Sequence, residues 1–170
     1  MIYVDNRTRG TGLDAAALGR VVERLLREIG EDGSSLSLTI VRDPAIRDLN
    51  REHRGKDAAT DVLSFPLHPP DAFERTPRTR PRVAAAAHGA GAPERMLGDI
   101  VVSVDTARRQ AAGYDAPLEQ EVHRLLIHGV LHLAGHDHME PGERAVMEAE
   151  ERRLAESIGM PWPYLESDPR

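Results

Sequence analysis

The chain has 170 residues, 40% of them hydrophobic and 29% charged, with no cysteine and a net charge of −6. That size and balance predict one soluble globular domain spanning 1–170, large enough to bury a real core. The missing cysteines exclude a disulfide framework and a thiolate-bound metal. No apolar run approaches the ~20 residues that span a bilayer and no leader pattern opens the chain, so a cytoplasmic location is the default expectation.

Ile2 to Val4 predicts a short opening strand. From Asp14 to Gly30, Leu18, Val21, Val22, Leu25, Leu26 and Ile29 recur at helical spacing, with Gly30 as the stop. Ser35 to Val41 alternates Leu36, Leu38 and Ile40, the pattern of a strand with one buried face. Asp43-Pro44 predicts a helix start, an oxygen-bearing cap followed by proline in the first turn, and the helix runs to about Arg54. Asp61 to Phe65 and Leu97 to Ser103 are further strands.

Between those two strands, residues 68–96 hold five prolines, an alanine run and arginines at 75, 78, 80 and 82, which predict a long flexible insertion. Val104 to Ala112 reads as a helix. Asp115 is placed to cap a longer one from Pro117 through His132, and Pro141 to Ile158 forms the last, with Val146, Met147 and Leu154 on its inner face. Strands and helices mixed in this order predict an α+β fold, a small mixed sheet with helices packed on it and a site at the end of a central helix.

Charge is uneven along the chain. Residues 1–110 sum to +1 and residues 111–170 to −7, so a phosphate-binding face in the first part is compatible with the acidic total. The acidic stretch 140–156 reads as a solvated helix face.

Five of the eight histidines fall between 123 and 138, and the segment 128–138 reads His-Gly-Val-Leu-His-Leu-Ala-Gly-His-Asp-His. His128 and His132, four apart, share one helical face. Gly135 lets the chain reverse and bring His138 back towards them. Three neutral imidazoles on one divalent ion leave a position open, the arrangement of a catalytic site. Zinc, nickel, cobalt and copper all suit such a set. His123 points about 140° away from His128 and is not expected to be a ligand.

The spacing matches the H-E-x-x-H-x-x-G-x-x-H metalloproteases except at one place. Position 129 is Gly where those proteases carry the glutamate base, a group worth ~10²–10⁴ in rate, so a peptide substrate is a poor expectation. Gly129 further predicts that substrate or another strand approaches the backbone there. A second constellation runs from Leu49 to Pro66, where Arg54 and Lys56 flank Gly55 just before a strand. A metal ion beside an arginine suits a phosphodiester, since both neutralise charge on phosphoryl oxygens.

These segments, together with Leu97 to Ala107, resemble the bacterial rRNA maturation factor family, the YbeY-type single-strand endoribonucleases. The blocks stand in the family's order and cover about a quarter of the chain. The resemblance implies that His128, His132 and His138 bind one zinc or similar ion such as nickel, and that Arg54 is the basic residue required for cleavage. It implies a small α+β domain that matures the 3′ end of 16S rRNA and serves ribosome quality control, with single-stranded rRNA and the 30S subunit as partners and neither DNA nor membrane. His136 stands where the pattern commonly has Tyr, and Ala59 where it commonly has Pro. Asp137 either orients a ligand imidazole or caps the turn; Asp61 either moves a proton or caps a turn; Glu121 is two turns from His128 on nearly the same face. The readings from other classes are a metal-stabilised RNA-binding assembly factor with little turnover, and a metallohydrolase of another substrate.

Overall fold

A computed structural model describes residues 1–73, 95–137 and 139–164. The described residues form four strands, β1 (Ile2–Asn6), β2 (Ser34–Val41), β3 (Val62–Pro66) and β4 (Arg95–Ser103). Five helices accompany them: α1 (Ala15–Glu28), α2 (Asp43–Arg54), α3 (Val104–Gly113), α4 (Leu118–Leu133) and α5 (Pro141–Ser157). The sheet order is β1-β2-β4-β3, with β1, β2 and β4 parallel and β3 antiparallel on the edge. The α+β expectation holds.

The sheet is covered on both faces, and the strand pattern says why. Leu36, Leu38 and Ile40 of β2 and Ile100 and Val102 of β4 turn one way into the main core, where α1, α4 and α5 supply Val22, Leu25, Leu126, Val130 and Leu154. The alternate residues Val41, Leu63 and Val101 turn the other way and meet Ile46 of α2. Helix α4 is buried nearly all round because it lies between the sheet and the other helices. No helix among the described residues is long and apolar enough to cross a membrane.

Three local expectations are corrected. Asp43 does not cap α2: Arg42 is the N-cap, and the Asp43 carboxylate instead accepts from Ser103 Oγ (2.6 Å), Thr106 Oγ1 (2.6 Å) and Arg109 Nη2 (2.8 Å), tying the start of α2 to α3. Those donors hold its pKa below the usual carboxylate value against the opposing effect of burial, which is the largest single influence. Asp115 does not cap α4, since it adopts a left-handed φ of 51° as the backbone turns out of α3, leaving Pro117 as N-cap. Val146 is 53% exposed, because it sits 100° off the stripe formed by buried Met147 and Leu154.

Of the 68–96 stretch, residues 74–94 and their arginines lie outside the described residues. The flanks are built into the fold. Residues Pro70–Ala72 form a single 3₁₀ turn, Phe73 is buried in the main core, and Arg95, the first residue of β4, stands over the Phe73 ring at 4.6 Å.

Candidate metal centre

Helix α4 buries Val122, Leu125, Leu126, Val130 and Leu133, which leaves His128 and His132 on the remaining half-exposed stripe. Their Nε2 atoms are 3.0 Å apart, with the rings edge to face and their centroids 4.5 Å apart. Two ligand nitrogens at bonds of about 2.0–2.1 Å on a tetrahedral ion would lie about 3.3 Å apart. The pair is therefore close to the spacing that one shared cation demands. The other nitrogen of His128, Nδ1, meets Oε1 of Glu151 on α5 at 2.7 Å. If Nδ1 of His128 donates to that carboxylate, its Nε2 presents a lone pair, which the Nε2–H of His132 satisfies.

The turn after α4 is the predicted one. Gly135 has a φ of 86°, Gly135 N donates to His132 O (3.0 Å) and His136 N donates to Leu131 O (2.9 Å). This is a helix end closed by a left-handed residue. A Cβ at 135 would come within 3.0 Å of the Pro70 carbonyl oxygen and of Phe73, so the 3₁₀ turn packs directly under the reversal. His136 and Asp137 follow, half-buried. His138 lies outside the described residues.

Gly129 has a structural reason. A Cβ there would stand 3.0–3.3 Å from three side-chain carbons of Ile100, so it is strand β4 that comes close to the backbone. Position 129 faces the sheet, 100° from His128, where a glutamate would enter the core.

His123 points elsewhere, as its helical phase requires. Its ring is 3.7 Å from Glu119, and Nε2 is buried with no hydrogen-bond partner among the described residues. Burial pushes its pKa below the ordinary value, with Glu119 opposing weakly. The unfolded chain therefore takes up this proton at a higher pH than the folded one, and stability is lost as pH falls. Comparing urea midpoints at about pH 7.5 and about pH 5.5 should show a smaller drop in His123→Gln than in the parent chain. An equal drop in both would remove His123 from the acid response.

Glu121 is no base for this site. It is fully buried, both its oxygens accept from Arg124 three residues on, and Oε2 also accepts from Tyr164 Oη at 2.9 Å. Burial first, then the Glu121 carboxylate, pushes the Tyr164 hydroxyl up to about 12. Arg124 Nη2 also donates to Gln110 Oε1 (3.2 Å), and Gln110 Nε2 donates to Asp61 Oδ2 (3.1 Å). The second Asp61 oxygen accepts from Val62 N at 2.7 Å. The carboxylate is thus locally capped and held from behind by the buried pair.

Arg54 closes α2, and Gly55 follows with a left-handed φ of 69°. Arg47 and Arg51 on the same helix are committed to Asp57 and Asp48. The exposed side chains of Arg54 and Lys56 make no ion pair among the described residues. Arg54 lies on α2, on one face of the sheet, and His128 and His132 lie on α4, on the other. Both approach the same end of edge strand β3. His53 stacks on Phe65 (ring centroids 5.0 Å), and Leu133, next to His132, reaches Gly98, the β4 partner of Pro66.

The sequence reading missed Glu151, assigning residues 140–156 to a solvated face. The signal was present, since 151 is four after buried Met147 and three before buried Leu154, on the inner stripe.

Comparison with known proteins places the chain in one family. A profile of the family described as Endoribonuclease YbeY matches residues 3–159. The Endoribonuclease YbeY of Stutzerimonas stutzeri is 39% identical over 99% of this chain and 95% of its own length, and that of Lysinibacillus sphaericus is 38% identical over 94% and 98%. The relative from Myxococcus xanthus is 44% identical, and this chain matches only 49% of its length. The solution structure of TM1509 from Thermotoga maritima aligns over 93% of this chain and 89% of its own, with a TM-score of 0.58 and 25% identity.

Proposed function

Since the chain belongs to the endoribonuclease YbeY family, we propose that it is a metal-dependent endoribonuclease that cuts single-stranded rRNA and matures the 3′ end of 16S rRNA on the 30S subunit, in the cytoplasm. The observation that carries this reading is the pair of Nε2 atoms 3.0 Å apart on the half-exposed stripe of α4. His128, His132 and, by its spacing after Gly135, His138 would hold one divalent ion, zinc or a similar metal. When bound, that ion supplies Lewis acidity at the scissile phosphate.

The chain's own residues do the rest. Arg54 offers a planar fork of N–H donors that matches two phosphoryl oxygens and neutralises the charge that builds as the phosphodiester breaks. Among the described residues no carboxylate pairs with it, which leaves that fork to RNA. Lys56 attracts the neighbouring backbone phosphate. An extended RNA strand crossing the outer edge of β3 would meet Arg54 from one side and the histidines from the other.

The test is cleavage of a single-stranded 16S 3′-end fragment, beside duplex RNA, single-stranded DNA and casein, with and without a chelator. We expect only the single-stranded RNA to be cut and the chelator to stop cutting until Zn2+ is restored. Arg54→Ala should keep its fold and bound zinc and lose about 10²–10³ in cleavage rate, the cost of one charge-stabilising donor. Wild-type-like cleavage by this variant would sink the role given to Arg54. A parent chain that binds the RNA and never cuts it would make the protein an assembly factor.

A further inference from the structure

We propose that Glu151 of α5 is a positioning residue of the metal centre: it fixes the tautomer and the ring plane of His128, so that Nε2 is the nitrogen offered to the ion. This deepens the metal reading above and rests on it.

Two independent observations meet here. The first is the 2.7 Å contact between Glu151 Oε1 and His128 Nδ1, the nitrogen that does not face His132. A carboxylate behind a ligand imidazole holds a proton on the nitrogen it touches and raises the basicity of the other. The second is the setting of Glu151 itself. Its side chain is only 14% exposed, on a stripe anchored by buried Met147, Leu154 and Ala155. Among the described residues neither Arg nor Lys pairs with it, and the group at its side is the His128 ring. A carboxylate withdrawn from water without its own arginine is costly unless a donor is supplied, and here that donor is His128.

The geometry also explains why α5 belongs to the site. His128 and His132 come from one helix, and a lone i,i+4 pair fixes neither ring about its χ2. Glu151 ties one ring to a second helix whose register is set by the core. Ring orientation therefore depends on α5 docking as well as on α4.

Two readouts test this, neither needing activity. The first is Zn2+ affinity, measured by competition with a chromophoric chelator. Glu151→Ala should bind Zn2+ about 10–100-fold more weakly than the parent chain. Glu151→Gln, whose carbonyl oxygen still accepts from Nδ1–H, should recover part of that loss. The second is the ¹⁵N ring spectrum of the metal-free protein with His128 neutral. The parent chain and Glu151→Gln should show the proton on Nδ1, and Glu151→Ala should shift it towards Nε2. Unchanged affinity with an unchanged tautomer in Glu151→Ala would overturn the proposal. If the parent chain bound no Zn2+ at all, the metal reading would fail, and the ring spectrum would still decide whether Glu151 sets the His128 tautomer.

Discussion

Gly98→Ala is expected to leave little folded protein, a loss of about 4 kcal/mol or more against a total stability of roughly 5–15 kcal/mol. Residue 98 sits in an irregularity of β4: Met96 pairs with Ser35 and Asp99 with Ser37, so two residues of β4 oppose Leu36 alone. Bulges of this kind bend a strand and re-aim its side chains. Here the extra residue takes a φ of 146°, which side-chain-bearing residues rarely adopt. A Cβ at 98 would overlap the carbonyl oxygen of Phe65 on β3 and come within 3.0 Å of Leu133 Cδ2 on α4. The first of these neighbours is backbone, paired in the sheet, and cannot swing aside. Chemical denaturation should therefore show either no transition or a midpoint far below the parent's. Gly113→Ala, at the end of α3 with open space around it, should leave stability near the parent value. A cooperative, parent-like transition for Gly98→Ala would mean that β3 and β4 are not joined in this register.

Periodicity carried most of the fold from sequence, because the burial is periodic. Leu97 to Ser103 reads as a strand, and the order of elements gives an α+β sheet before any contact is known. At Asp43 and Glu151 the side chain answers a distant partner, whereas Asp115 and Val146 were misread in local geometry. Asp43 has every local attribute of a cap, yet its carboxylate serves Ser103, Thr106 and Arg109, at least 60 residues further on. The bulge at Gly98 leaves no mark in the 97–103 run, which reads only as a strand. Within the site, the helical phase of His128 and His132 and the reversal at Gly135 were local and therefore legible. Glu151 was lost because charge was read before phase: an acidic residue on an acidic helix looks solvated until its neighbours on the inner stripe are counted. The approach of Arg54 towards the end of β3 depends on sheet order, which local pattern does not encode.

Arg124→Ala is expected to cost about 3–5 kcal/mol, the penalty for leaving one member of a buried ion pair without its partner. Glu121 has no exposed surface and Arg124 is 3% exposed, so water cannot replace the lost guanidinium. The damage should spread in two directions. Tyr164, whose ring lies 4.8 Å from the Arg124 guanidinium carbon, loses that cation while its hydroxyl remains against a bare carboxylate. Gln110 loses its donor, and with it the brace behind Asp61. Glu121→Leu combined with Arg124→Met removes both charges and should recover much of the stability, because packed apolar groups of similar volume commonly replace a buried pair at little cost. The double variant thus separates stability from positioning. If urea denaturation returns to near the parent midpoint while cleavage of single-stranded RNA stays reduced, the pair acts on the site through Gln110 and Asp61. If stability and cleavage return together, its contribution is to the core alone.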